Sequence, residues 1–226
     1  MSQSQSQSPR HLVIASGNRH KVIELRAMAA ARSLSVAVSA MADHGDAPEI
    51  VEDRDTFTGN AVLKAEGIAR WLREMTSLPG DTLVVADDSG IVIEALDGAP
   101  GVYSARYAGS PTDDDANNAK MVQELRARGV SESPAHYVCV LAVVRLDGQP
   151  VDNGEALVLF RGRWDGTARV EHRGTGGFGY DPYVWIDWPS PTSQTVAELS
   201  REEKAARSHR GQAMRAFMDA LASWLA

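Results

Sequence analysis

A single cysteine, Cys139, occurs among the 226 residues, which excludes an intramolecular disulfide framework and a thiolate metal cluster. It lies in the apolar run "AHYVCVLAVV" and reads as a core residue of a protein kept in a reducing, cytoplasmic compartment. Basic charge is also scarce: 23 Lys and Arg against 30 Asp and Glu leave a formal net charge of −7. No stretch gathers more than three basic residues, so nucleic acid, whose backbone requires a basic face, is not expected as a partner. A small anion held by a few placed cations is compatible with that balance. No apolar run approaches the ~20 residues of a membrane helix, and the six histidines show no zinc-binding spacing. The opening "MSQSQSQS" has no apolar core, so neither a signal peptide nor a membrane anchor is read there. Residues 1–8 are expected to form a disordered tail on a soluble protein.

With 43% hydrophobic and 23% charged residues, the chain can bury one substantial core or two small ones. Strand and helix patterns alternate along it. "HLVIAS" reads as a strand and "HKVIELRAMAAA" as a helix with an apolar stripe of Val22, Ile23, Leu25, Met28 and Ala29. A short strand "LSVAV", an acidic loop and a helix from about Thr56 to Glu74 follow, and then a strand "DTLVVADD". "PTDDDANNAKMVQELRARG" predicts a helix capped by Thr112, with aspartates at its positive end and Gly129 as terminator. A long hairpin is expected to turn at Asp147-Gly148. The capping box "SREE", Ser200 to Glu203, opens a last helix running close to the C-terminus. These signals predict one α/β domain over residues 9–226, an elongated mixed central sheet flanked by helices, with room for two lobes around a cleft.

Chemistry concentrates in "VVADDSGIVIEALDGAPGVYSARYAG", where a β-branched strand runs into Asp87 and Asp88. Unpaired buried carboxylates cost several kcal/mol, so a compensating metal ion is implied. "IASGNRHK" is a strand, a polar turn and a helix start that presents N–H groups to an anion. Lys21 in that first turn opposes the helix dipole unless an anion partners it; an ordinary βα turn with a solvated lysine is as good a reading on this stretch alone. Asn60 and Lys64, four apart, share a helix face and by themselves read as a solvated polar edge. "GTGGFG" matches G-x-G-x-x-G, but "YDP" and a β-rich stretch follow it, so it is no dinucleotide fingerprint. Phe178, Tyr180 and Asp181 beside those glycines suit a heterocyclic base. Ser208, His209 and Arg210, placed within the C-terminal helix pattern, cannot all share one face.

Taken together and in order, "SGNRHK", "TFTGNAVLKA", "ADDSG" with "PGVYSARYAG", "GGFGYDP" and "SREEKAARSHRG" resemble the motifs of the inosine triphosphate pyrophosphatase family, from His11 to the end of the chain. The resemblance implies a cleft between two lobes, Mg²⁺-dependent cleavage of a nucleoside triphosphate to monophosphate and pyrophosphate, and a homodimer. By motif, Ser16, Gly17, Asn18, Arg19, His20 and Lys21 correspond to triphosphate binders, joined by Lys64. Asp88 corresponds to the catalytic carboxylate and, with Asp87 and Glu52, to the metal site, while Ser89 touches substrate. Phe178, Gly179, Tyr180, Asp181, Lys204, His209 and Arg210 correspond to the nucleoside pocket.

Two departures stand out. "VEDRDTF" carries Arg54 where the family often has glycine, which leaves Glu49 and Asp53 as alternatives to Glu52. Gly59 replaces a frequent acidic residue. The implied substrates are ITP, dITP and XTP. A pyrophosphatase for modified pyrimidines and a catalytically inactive nucleotide-binding module are the rival readings. The "PGVYSARYAG" loop either shapes the rim of the cleft or packs on a second subunit.

Overall fold

A computed structural model describes residues 9–17 and 19–225. The expected tail 1–8, Asn18 and the side chain of His20 lie outside the described residues. The chain begins β1 (Arg10–Ile14), α1 (Arg19–Ala31), β2 (Val36–Ala40), α2 (Phe57–Met75), β3 (Leu83–Ile93). It continues α3 (Asp114–Ala127), β4 (Glu132–Arg145), β5 (Leu157–Arg169), β6 (Val184–Ile186), β7 (Gln194–Thr195), α4 (Arg201–Arg207) and α5 (His209–Trp224). Among the described residues the strands form one seven-stranded sheet ordered β2-β1-β3-β4-β5-β6-β7. β2 and β3 both pair parallel to β1, on opposite sides, and every later pairing is antiparallel. The mixed, helix-flanked sheet expected from the sequence is therefore present.

This order makes β1 and β3 a topological switch point, where the chain leaves β1 in one direction for α1 and returns to β3 from the other through α2. A crevice opens there beyond the strand ends. Alternation along β3 divides the core. Leu83 and Val85 join α1 and α5 on one face, with Leu25, Met214 and Phe217. Val84 and Ala86 join α2 on the other, with Ala61, Ala65, Ile68 and Leu72. A third cluster sets Met121 and Leu125 of α3 against Ile91, Ile93, Tyr137 and Trp164. Burying a leucine or phenylalanine in this way stabilises by about 1.5–3 kcal/mol each.

Several boundaries differ from the sequence reading. β3 does not stop at Asp88 but pairs with β4 through Ile93↔Ala135, because a long-range partner, not local propensity, sets its length. The cap of α3 is Asp113, whose carboxylate accepts from Ala116 N at 3.0 Å, rather than Thr112. The hairpin register closes at Val144↔Leu157, so an eleven-residue connection with a second turn at Asp152–Glu155 replaces the tight turn at Asp147-Gly148. Ile23 leaves the apolar stripe of α1 and is exposed. The last helical pattern is broken at Ser208, whose side chain accepts from Gly211 N and starts α5 afresh. Gly211 allows the close approach, since a Cβ there would lie 2.0 Å from Ala205 O.

Candidate active site

β1 ends at Ile14↔Val85 while β3 continues, so Asp87 and Asp88 lie beside the crevice with no β1 partner. Successive side chains on β3 point to opposite faces, and the two aspartates meet different surroundings. Asp87, on the α1/α5 face, accepts from Lys21 Nζ at 2.6 Å through Oδ1 and from an Arg210 guanidinium nitrogen at 2.9 Å through Oδ2. The same nitrogen of Arg210 reaches Ser89 Oγ at 3.0 Å. Burial alone would raise the Asp87 pKa, but Lys21 and Arg210 outweigh it and hold the carboxyl well below the usual range.

Asp88, on the α2 face, is treated in the opposite way. Its Oδ1 accepts from Ser89 N at 3.1 Å and lies 3.7 Å from Lys64 Nζ, while its buried Oδ2 makes no close hydrogen bond among the described residues, the nearby Asn60 amide being its weak polar neighbour. Burial raises its pKa; Lys64 offsets part of this and the nearby Glu52 carboxylate adds to it, leaving the group above its ordinary value. Lys64 also donates to Glu52 Oε1 at 2.9 Å. Arg106 donates to the Glu52 carbonyl at 3.0 Å and sits 3.9 Å from its carboxylate. Asp53 instead turns outward, exposed and paired with Arg54, and Glu49 is an exposed residue of the crevice wall. Two convergent carboxylates with one orphaned buried oxygen suit a hard divalent cation, which takes one or two carboxylates and completes its shell with phosphate and water. Asp87 has both oxygens committed to cations.

The crevice holds about 340 Å³ and is walled by Ser16, Lys21, Glu52, Lys64 and Asp87. Lys21 and Lys64 thus meet in one space from different helices, α1 and α2. Asn60, one turn before Lys64, is fully buried and its Oδ1 accepts from Arg54 N at 3.0 Å. The solvated-edge reading of this pair therefore fails: their face of α2 turns to the sheet. Gly17 is exposed beside Ser16, and Arg19 is exposed at the start of α1. A larger hollow of about 760 Å³ at the other end of the sheet, lined by Arg10, Asp81 and Trp224, contains none of these groups.

A second pocket, about 190 Å³, adjoins the first through Ser89 and Arg210. It is smaller than the ~300–1,000 Å³ that encloses a drug-sized ligand, and matches a single heterocycle better than a whole nucleotide. Ser104, Tyr137, Phe178, Gly179, Tyr180, Asp181, Lys204 and His209 line it. Phe178 is 65% exposed, with Lys204 Nζ 4.2 Å from its ring centroid. Lys204 in turn contacts the buried Asp181, which accepts from Phe178 N at 2.9 Å and from Tyr137 OH at 3.3 Å. His209 stacks on Tyr137, rings 4.9 Å apart and 8° from parallel. Burial first, then Arg210 and Lys204, push its pKa down to about 3. At neutral pH it is an uncharged imidazole whose buried Nδ1 has no partner among the described residues. The break at Ser208 is what places His209 and Arg210 in the first turn of α5, aimed at β3.

The glycine of "ADDSG" has a local cause. A Cβ on Gly90 would meet Ser104 Oγ at 2.3 Å and Gly101 O at 2.7 Å, because the 3₁₀ segment Gly101–Arg106 packs directly on β3. Ser104 Oγ accepts from Ile91 N at 2.9 Å and donates to Gly101 O at 2.6 Å. The "PGVYSARYAG" loop thus forms part of the rim, and through Arg106 it reaches Glu52. Arg106, an arginine between Tyr103 and Tyr107 in the loop that follows the paired aspartates, stands out in the sequence, but its contact with Glu52 does not; Tyr137, Asp114 and Asn118 carry no local signal.

A switch-point crevice walled by Lys21, Lys64, Glu49, Glu52 and Asp87, beside a smaller aromatic pocket, defines an α/β protein of the kind whose ligands bind at strand ends. The model of the Ham1 family matches residues 12–220, and the chain belongs to that family. A dITP/XTP pyrophosphatase of Leuconostoc mesenteroides is 41% identical over 214 residues, covering 95% of this chain and 98% of its own. A dITP/XTP pyrophosphatase of Exiguobacterium sibiricum is 40% identical over the same span of coverage. The solved structure of a HAM1 protein from Coxiella burnetii superposes with a TM-score of 0.80 at 36% identity, covering 95% of this chain and 99% of that one.

Proposed function

We propose that the protein hydrolyses ITP, dITP and XTP to the monophosphate and pyrophosphate, removing deaminated purines from the nucleotide pool of the cytoplasm. The observation that carries this reading is the split of Asp87 and Asp88. Asp87 ties a crevice lysine to the arginine of the base pocket, and Asp88 keeps a free oxygen beside Glu52 and Lys64. The triphosphate lies in the cleft between two lobes, with its phosphates toward Ser16, Gly17, Lys21 and Lys64 and its base in the smaller pocket. Asn18, Arg19 and His20 complete the phosphate turn in this reading.

Glu52 and Asp88 would hold Mg²⁺, which when bound neutralises charge on the phosphate oxygens and the departing pyrophosphate. Lys21 and Lys64 share that neutralisation from the two walls of the crevice. Asp88, whose proton affinity is raised, orients water toward the α-phosphorus and accepts its proton. Asp87 is not a metal ligand here; it holds Lys21 and Arg210 in place. Hypoxanthine and xanthine present a 6-oxo acceptor to Arg210, whereas the 6-amino donor of adenine would face a donor, a mismatch that buried polar sites reject strongly. Phe178 stacks on any purine. Guanine shares the 6-oxo group, so its exclusion falls to the small pocket, which leaves the 2-amino group crowded or without an acceptor.

Pyrophosphate release across a panel of purine and modified pyrimidine triphosphates, with Mg²⁺ and with excess chelator, tests the proposal. ITP, dITP and XTP are expected to exceed ATP and GTP in kcat/KM by roughly two to four orders of magnitude, with no turnover in chelator. ATP or GTP level with ITP would overturn the base assignment. Arg210→Ala should erode the ITP preference, and Glu52→Gln should raise the Mg²⁺ concentration required. An unaltered Mg²⁺ requirement in Glu52→Gln would move the metal role to Glu49 or Asp53. Assembly as a homodimer is part of the same reading, supported by the part of the sheet face that α2 leaves open, where Arg161, Arg163 and Asp165 are exposed.

A further inference from the structure

Phe178 is held on one side, by Lys204 over its ring and by Asp181, which accepts from its N–H, and its other side is open. It is 65% exposed, and its neighbours Gly177 and Gly179 both have positive φ, +76° and +60°, in backbone regions that glycine visits at high entropic cost. The Lys204 and Asp181 contacts fix Phe178 itself but leave the glycine after it free to turn. That glycine is gripped from α3. Gly179 N donates to Asp114 Oδ2 at 2.7 Å, and Gly179 O accepts from Asn118 Nδ2 at 2.9 Å. Asp114 and Asn118 stand four apart and so share one helix face, which clasps both polar ends of the residue that follows Phe178. The grip has a cost: Asn118 is buried and its Oδ1 has no partner among the described residues. Rotating the amide would set that oxygen against the Gly179 carbonyl, so the Gly179 contact fixes its orientation.

We propose that Asp114 and Asn118 are positioning residues that preset Phe178 as the stacking platform for the base. The proposal rests on the nucleotide reading above. It makes a prediction different from that for Arg210, because stacking is blind to base identity while hydrogen bonding is not. Loosening the platform should therefore weaken all purine triphosphates alike.

Steady-state kinetics on ITP and ATP, with calorimetric affinity for ITP, provide the test on the full chain. Asn118→Asp, which keeps the shape and loses the donor, and Asp114→Ala should each raise KM for both nucleotides roughly tenfold, within the range expected for one base stack. In both variants kcat and the ITP/ATP ratio should hold within about threefold. Asp114→Asn, which keeps an acceptor, should restore wild-type KM. Phe178→Ala should raise KM alone, and adding Asn118→Asp or Asp114→Ala to it should add little, since the grip acts through the ring. Unchanged KM in Asp114→Ala, or additive effects in the Phe178→Ala background, would overturn the proposal. Asp114 is exposed, so its variants carry the test if Asn118 variants fold poorly. A wild-type chain that turns over no triphosphate would overturn the functional reading instead, and the same cycle is then read in calorimetric affinity.

Discussion

Two neighbouring aspartates with opposite proton affinities show how little of a residue's role lies in its identity. Asp87 is anionic because two cations grip it, and Asp88 resists ionisation because it is buried beside Glu52 with one oxygen unpartnered. Their substitutions should separate accordingly. Asp88→Asn is expected to lower kcat by several orders of magnitude with little loss in Tm, whereas Asp87→Asn leaves Lys21 and Arg210 without their counter-charge and should cost about 3–5 kcal/mol of stability. Calorimetric unfolding beside kcat measures both; a kcat for Asp88→Asn within a few fold of wild type would refute its role. "ADDSG" was legible as a site, but this division was not, because Arg210 lies 123 residues from Asp87 in the chain. His209 supplies a pH test. Its folded pKa of about 3 lies below the ordinary 6.5, so below pH 6.5 the unfolded chain binds a proton that the folded one refuses. That costs stability as pH falls toward 3, at up to about 1.4 kcal/mol per pH unit. His209→Phe, which keeps a ring against Tyr137, should lose less stability than wild type between pH 7 and 5; parallel losses would show that the imidazole does not report this burial.

At the scale of elements, helices with strong local signals were legible and the joints between elements were not. Thr56 caps α2 and Ser200 with Glu203 opens α4, as their sequences announce. Ser208 reads locally as one more polar residue of a continuous helix. The chain breaks there because Gly162 of β5 and Gly211 of α5 permit two close backbone approaches: a Cβ on Gly162 would lie 1.8 Å from His209 O. Such contacts are written across strands and helices, not within a window of sequence. Ser208→Ala removes the acceptor for Gly211 N and should cost about 1 kcal/mol, with a further drop in kcat/KM because His209 and Arg210 ride on that turn. Gly162→Ala should be far more damaging. Urea midpoints and ITP kinetics check both, and a Ser208→Ala enzyme with full activity would show that the cap does not aim the pocket.

Among the described residues α2 covers only part of its face of the sheet, and the part it leaves open is the basis for expecting a dimer. α2 covers the first half of that face, up to Phe57 near Gly90. Beyond it run the cross-strand rows Gly90–Val138–Arg163, whose Gly90 end lies under the 3₁₀ segment, and Val92–His136–Asp165. Arg161, Arg163 and Asp165 are exposed while Gly162 and Trp164, which alternate with them, are buried. Tyr103 is exposed on the nearby loop. Hydrophobic counting along the sequence could not reveal this surface, since its strands alternate as any half-covered sheet does and the partner of each face is settled only by topology. A two-fold contact places one patch against its own copy, and the half-buried Val138, flanked in its row by the exposed Arg163, is the apolar position of this patch. Light scattering at micromolar concentration should therefore give twice the 24.4 kDa chain mass. Val138→Arg should yield a folded monomer with an unshifted secondary-structure spectrum. A wild-type monomer would remove the dimer from the proposal, and a dimeric Val138→Arg would move its interface to another face.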